Sequence, residues 1–292
     1  MSTRKVQIVI SPVEPHYVGD GFRVHNFIPG IDELSMQRMS PFILMDYNSK
    51  FIFEPSETPK GVGVHPHRGF ETVTIAYKGK VEHNDSSGGG GVIGEGDVQW
   101  MTAASGILHK EFHEKEWSKQ GGEFQMVQLW INLPAKDKMS KPKYQAIQKA
   151  DMSRYEIENN GGEIEIIAGE FNGIKGNAST FTPLHLYNAR LKKGATVNFS
   201  FPEDYNTAML VIEGNIKVNN SETAPTDHFV LMANDGKDFS VNAQDDAVVL
   251  VLSGEPINEP IAAHGPFVMN TRDELMQAFD DFNKGKFGYL EY

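Results

Sequence analysis

Two short stretches carry side chains able to grip a metal ion. "GVHPHRGFET" (63–72) places His65 and His67 two residues apart, and "GILHKEFH" (106–113) places His109 and Glu111 at the same spacing. In an extended strand, residues i and i+2 share a face. Pro66 favours an extended conformation for the residue before it. Two strands of one barrel would then each send a pair of donors inward. The set is three imidazoles and one carboxylate. With no cysteine in the chain, thiolate ligation and a disulfide framework are both excluded. Around an octahedral ion this nitrogen–oxygen set leaves two positions open. That suits non-haem Fe(II), with Mn, Ni, Cu or Zn as alternatives. His113 and Glu114 read as a polar continuation of the second stretch.

The elements that must position these donors read as strands. Val6–Ile10, Glu71–Tyr77, Glu123–Leu133, Glu163–Ala168, Ala195–Phe201, Ala208–Glu213 and Ala247–Leu252 are rich in β-branched and aromatic residues. Turn signals separate them: Lys78-Gly79, Gly88–Gly91, Asn160-Gly161-Gly162, Glu213-Gly214 and Asp235-Gly236. Many short strands at regular spacing predict an all-β chain of sandwich or barrel type. The clearest helix lies at 272–283. Thr271 caps it, Glu274 completes a capping box, and Leu275, Met276, Phe279 and Phe282 give an apolar face. "TVTIAYKGKVEHND" (72–85) and "TAMLVIEGNIKVNN" (207–220) are similar hairpins a constant 135 residues apart. They point to two related barrels. Ala135–Pro142 is the best candidate linker, which divides the chain into domains 1–134 and 135–292. At the same offset, His65, His67 and Glu71 become Ser200, Pro202 and Asn206, and His185, His228 and His264 have no i, i+2 partner. One metal per chain, in the first barrel, is the expectation.

The 292 residues suit two domains of ordinary size. A net charge of −12 argues against a nucleic-acid surface, because phosphate contacts need clustered Lys and Arg. No apolar run reaches a membrane span, and the N-terminus does not read as a signal peptide. Together with the lack of cysteine, this makes a cytoplasmic location the expectation.

"HPHRGFETVTI", followed by "HNDSSGGGGVIGEGDVQWMTAASGILHKEF", resembles the pirin family of the cupin superfamily. The likeness extends through "SPFILMDY" (40–47) to "PIAAHGPFVMNTRDEL" (260–275) and "GKFG" (285–288). It implies a bicupin of two jelly-roll β-barrels with the metal in the N-terminal one. His65, His67, His109 and Glu111 match the family's ligands, and the metal there is usually iron. Bacterial members are associated with quercetin 2,3-dioxygenase activity, in which O₂ opens a flavonol or catechol-like substrate with release of carbon monoxide. Eukaryotic members are associated with transcriptional co-regulation. The alternative function is therefore a metal- or redox-sensing protein that regulates a protein partner. Glu111 is the candidate proton acceptor. Glu71, on the parity of His65 and His67, is the alternative ligand, as in general cupins. The chain departs from its relatives at Ala104, where glycine is common. If that position needs a positive φ, alanine costs about 1 kcal/mol. Arg68 is expected in a surface or inter-strand ion pair, Trp100 and Met101 in the core.

Overall fold

The computed structural model of the chain describes residues 2–291. Among these, 26 strands and three α-helices form two compact units. The first unit has a seven-stranded antiparallel sheet in the order Lys143–Ile147, Val98–Thr102, Phe70–Lys78, Gly122–Asn132, Phe42–Phe53, Phe22–Ile28 and His16–Val18. A four-stranded sheet packs on it, in the order Gly61–His67, Ile107–His113, Val81–Asp85 and Gly90–Ile93. The second unit repeats this plan. Its large sheet runs Val6–Ile10, Phe229–Met232, Asn206–Glu213, Ala247–Gly254, Leu184–Leu191, Gly162–Ala168 and Ser153–Ile157. Its small sheet runs Thr196–Ser200, Asp238–Ala243, Asn215–Val218 and Glu222–Pro225. The two hairpins detected in the sequence occupy equivalent places. Their turn glycines have nearly the same backbone angle, φ +81° at Gly79 and +80° at Gly214, which side-chain-bearing residues rarely adopt.

The boundaries differ from a cut at 134/135. The first unit comprises Glu14–Lys149 with the segment from Ile257 onward, and the second comprises 150–256 with the segment ending at Val13. In the second unit an outer strand of the large sheet, Val6–Ile10, is distant in sequence from the rest of its barrel. Val6–Ile10 fills in the second unit the edge that Lys143–Ile147 fills in the first. An edge strand is specified by the alternation of its side chains and by the open ladder it meets, so sequence order alone does not say which barrel it completes.

The stretch read as a linker is an anchor. Lys138 is buried, and its ammonium donates to Gly69 O at 2.7 Å, Asn132 Oδ1 at 2.6 Å and Val268 O at 2.9 Å. Burial pulls its pKa down to about 7, while three acceptors for three N–H donors favour the ammonium form.

The C-terminal helix spans Arg272–Asn283 as expected, and both bonds of the Thr271/Glu274 capping box are present. Its docking face is narrower than the sequence suggested. Leu275, Ala278 and Phe279 pack with Phe267 and Phe287, whereas Met276 is 63% exposed and Phe282 37% exposed. At 100° per residue, position 276 falls off the 275/278/279 stripe. Polar contact completes the docking: Asp281 accepts from Arg68 Nη1 at 2.9 Å with both side chains buried. Lys286 and Arg68 hold the Asp281 carboxyl well below the usual carboxylate range. Arg68 also donates to Ser105 O and lies 4.7 Å from the centre of the Phe287 ring, so its ion pair is internal and not at the surface.

Candidate metal centre

The strand Ile107–His113 alternates strictly between buried and half-buried residues, which turns Ile107, His109, Glu111 and His113 to the interior. It pairs with Gly61–His67, with His109 directly opposite His65 and Ile107 opposite His67. The three imidazoles therefore meet. Ring centres of His65 and His109 lie 4.1 Å apart, those of His67 and His109 4.6 Å, and those of His65 and His67 4.9 Å. Donor atoms of the three lie within 4.8 Å of one another.

Each ring is held through Nδ1. His65 Nδ1 meets Gly63 O at 2.8 Å and His67 Nδ1 meets Pro266 O at 3.4 Å. A carbonyl only accepts, so both rings carry a hydrogen on Nδ1, and Nε2 is the nitrogen each has left for ligation. His109 Nε2 is buried with no hydrogen-bond partner. An orphaned buried nitrogen costs free energy unless something takes its lone pair. Burial, with His65 among the neighbouring imidazoles, holds both His67 and His109 well below the ordinary histidine pKa, and both are neutral as ligation requires. The residues present thus fit a divalent first-row metal ion.

Glu111 stands beside this triad. Its carboxylate groups with His83 and His109, a second set whose donor atoms also lie within 4.8 Å of one another. Oε1 accepts from Thr74 Oγ1 at 3.4 Å and Oε2 from Gln128 Nε2 at 2.9 Å. Among the described residues, the groups able to hold a metal are these two, and His109 belongs to both. Glu71 belongs to neither. It is buried and accepts from Thr102 Oγ1 at 2.7 Å. Gly69, with a φ of +93°, breaks the alternation between the two strands, so residue 71 does not share the face of His65 and His67. After that turn the site side belongs to Phe70, which stacks on Trp130 and meets the His67 ring edge-on, and to Thr74. A Cβ on Gly69 would lie 1.9 Å from Val268 O.

Burial raises the Glu71 pKa to about 7. The folded chain then binds more protons than the unfolded one between about pH 4.5 and 7, so stability is lost as pH rises through that window. Glu71→Gln should leave the metal-free protein more stable at pH 8, by on the order of 2–3 kcal/mol, with little difference at pH 4. Paired urea titrations across this range measure it. Parallel curves for the two proteins would show that Glu71 ionises normally.

Trp100 and Met101 are fully buried. Ala104 does adopt a positive φ, +42°, in the turn before His109. His113 is a satisfied core histidine, with Nε2 2.8 Å from Gly21 O and its ring among Phe22, Phe53 and Phe124. In the second unit the corresponding interior is filled by Tyr187, Phe199, Phe201 and Phe239, and Ser200 and Pro202 are exposed. His83, Asp85 and Gln128 were missed. The "HND" of 83–85 is a third i, i+2 pair of metal-competent residues, so a signal for two of them was present.

A cavity of about 390 Å³ opens onto His65, His67 and Glu111. Its walls are mainly apolar, from Phe22, Val24, Met126 and Trp130, with Asp46 and Gln128 as polar points. That volume lies within the usual range of small-molecule sites, roughly 300–1,000 Å³. No helix among the described residues is long and apolar enough to cross a membrane.

Residues 21–131 match the Pirin family model and residues 186–288 match the Pirin C-terminal cupin domain model. The chain is 44% identical over 284 residues to a Pseudomonas aeruginosa protein provisionally named quercetin 2,3-dioxygenase, covering 97% of this chain and 98% of that one. It is 40% identical to a pirin-like protein of Solanum lycopersicum, covering 93% of this chain and 89% of the relative. A crystal structure of quercetin 2,3-dioxygenase from Acinetobacter baumannii superposes with a TM-score of 0.92 at 47% identity, covering 99% of this chain and 100% of that one. With both barrels matched and likeness along nearly its whole length, the chain belongs to the pirin family of two-cupin proteins.

Proposed function

We propose that this chain is a metal-dependent dioxygenase that opens flavonol-like substrates such as quercetin with O₂, using one Fe(II) per chain held by His65, His67 and His109 with Glu111 beside them. The observation that carries the reading is the convergence of three imidazoles beside a mainly apolar cavity lined by His65, His67 and the Glu111 carboxylate. When bound, the ion supplies Lewis acidity toward a substrate oxygen and redox capacity toward O₂. The remaining work falls to the chain. Trp130, Phe22 and Met126 receive a flat aromatic body and keep water from the reacting end. Glu111, an acceptor fixed by Thr74 and Gln128, takes the proton of the substrate hydroxyl that approaches the imidazoles. The named activities of the Pseudomonas and Acinetobacter relatives support the same substrate class.

The test is oxygen consumption and carbon monoxide release by Fe(II)-loaded protein with quercetin. Turnover that depends on His109 supports the proposal. Metal-loaded protein that binds its ion but consumes no oxygen over a panel of flavonols and catechols would replace it with the metal- or redox-sensing regulator.

A further inference from the structure

We propose that His83 and Asp85 are positioning residues for His109: Asp85 orients His83, and His83 fixes the proton of His109 on Nδ1, so that the Nε2 lone pair faces His65 and His67. The inference deepens the metal reading above and rests on it.

The strand Val81–Asp85 pairs with Ile107–His113 on the side away from His65, setting His83 opposite Glu111 and Asp85 opposite His109. His83 is fully buried and stacks on Tyr144, with ring centres 5.5 Å apart and planes at 17°. Its Nδ1 lies 3.4 Å from His109 Nδ1, and its Nε2 lies 3.4 Å from Asp85 Oδ2. The other carboxylate oxygen, Asp85 Oδ1, accepts from Ser87 N at 2.8 Å, Ser87 Oγ at 2.7 Å and Gly89 N at 3.0 Å. Three donors fix that carboxylate and leave Oδ2 for His83.

With His83 carrying a single ring proton, these contacts have one consistent direction. An ionised carboxylate only accepts, so His83 Nε2 carries the hydrogen. The Nδ1 of a neutral His83 then has only a lone pair and must accept. The hydrogen between the two rings therefore belongs to His109 Nδ1, and His109 Nε2 is left bare. That nitrogen is the buried atom without a partner. The reverse order would turn a lone pair of His83 toward Asp85 Oδ2. A carboxylate behind a ligating imidazole raises its basicity and fixes its orientation; here a second imidazole extends the chain by one link.

The glycine run 88–91 provides a separate observation. A Cβ on Gly89 would fall 2.3 Å from Asp85 Oδ2 and 2.9 Å from Tyr144 Cβ. The backbone can close over the Asp85 carboxylate and cap it only because residue 89 has no side chain.

The competing assignment makes His83 itself a ligand, in the set with His109 and Glu111. The two assignments exclude each other, because His109 Nδ1 cannot both donate to His83 and bind an ion on that side. Nitrogen-15 NMR of the histidine-labelled full chain loaded with Zn(II) as a diamagnetic probe separates them without mutation. The proposal requires hydrogen on His109 Nδ1 and on His83 Nε2, with metal-perturbed shifts at His109 Nε2 and none at His83. A metal-perturbed His83, or His109 bound through Nδ1, overturns it. Competition with a chromophoric chelator gives a second measure: His83→Phe and Asp85→Asn should lower Zn(II) affinity about 10–100-fold, while His83→Gln, which keeps an acceptor and a donor, should stay within about threefold of wild type. Unchanged affinity in His83→Phe overturns the positioning role while leaving the metal reading intact. Wild-type protein that binds no Zn(II) or Fe(II) overturns both.

Discussion

Glu111→Gln protein saturated with Fe(II) should oxidise a flavonol roughly 10²–10⁴-fold more slowly than wild type, the usual worth of a positioned general base. The substitution keeps the shape of the side chain and an oxygen that can accept from Thr74 Oγ1 or Gln128 Nε2. It removes the negative charge and the basic site. His109→Ala behaves differently. It deletes one neutral donor, so metal affinity should fall by about 10–100-fold or more, since even an outer partner of a ligand is worth that much. Part of the activity should then return with excess Fe(II). Steady-state oxygen consumption against metal concentration separates the two variants. The grouping of Glu111 with His83 and His109, apart from His65 and His67, gives the carboxylate a place beside the triad from which it can serve the substrate. Full-rate oxidation by metal-saturated Glu111→Gln would remove the base role.

Lys138→Met should unfold the unit that holds the site far more easily than wild type. The methionine fills a similar volume but leaves Gly69 O, Asn132 Oδ1 and Val268 O without the ammonium. Each buried acceptor left unsatisfied costs about 1–3 kcal/mol, so a loss on the order of 3–9 kcal/mol is expected for the three. For a unit of this size that lowers the melting temperature by roughly 10–30 °C. Two of the three acceptors flank the segment that positions His67: Gly69 is the turn after it, and Val268 lies two residues beyond Pro266, whose carbonyl orients its ring. Metal retention should therefore weaken along with stability. Calorimetry of the metal-free protein measures the first effect and chelator competition the second. A melting temperature within about 3 °C of wild type would show that water replaces the ammonium at little cost.

Much of this could be read directly from residue order. The strands came from β-branched and aromatic runs bounded by glycine turns, and the C-terminal helix from a capping box, because these signals act over a few residues. The 135-residue repeat of the hairpin pointed to two like barrels, and their strand orders match. The i, i+2 spacing of His65/His67 and His109/Glu111 followed from strand geometry, and three of those four side chains converge. Side chains alternate within each strand, but a positive φ at Gly69 resets which face a residue takes, so Phe70 and not Glu71 meets His67. Which barrel Val6–Ile10 and the C-terminal helix complete was decided by long-range pairing, namely an edge ladder for the strand and Arg68 with Asp281 for the helix. Lys138 shows the same limit most plainly. In the sequence it is one lysine in a polar, proline-containing stretch, and only the folded chain brings carbonyls from positions 69 and 268 to its ammonium. His83 took its meaning in the same way, since the partner that gives its i, i+2 pairing with Asp85 a purpose is a nitrogen of His109, supplied by the neighbouring strand.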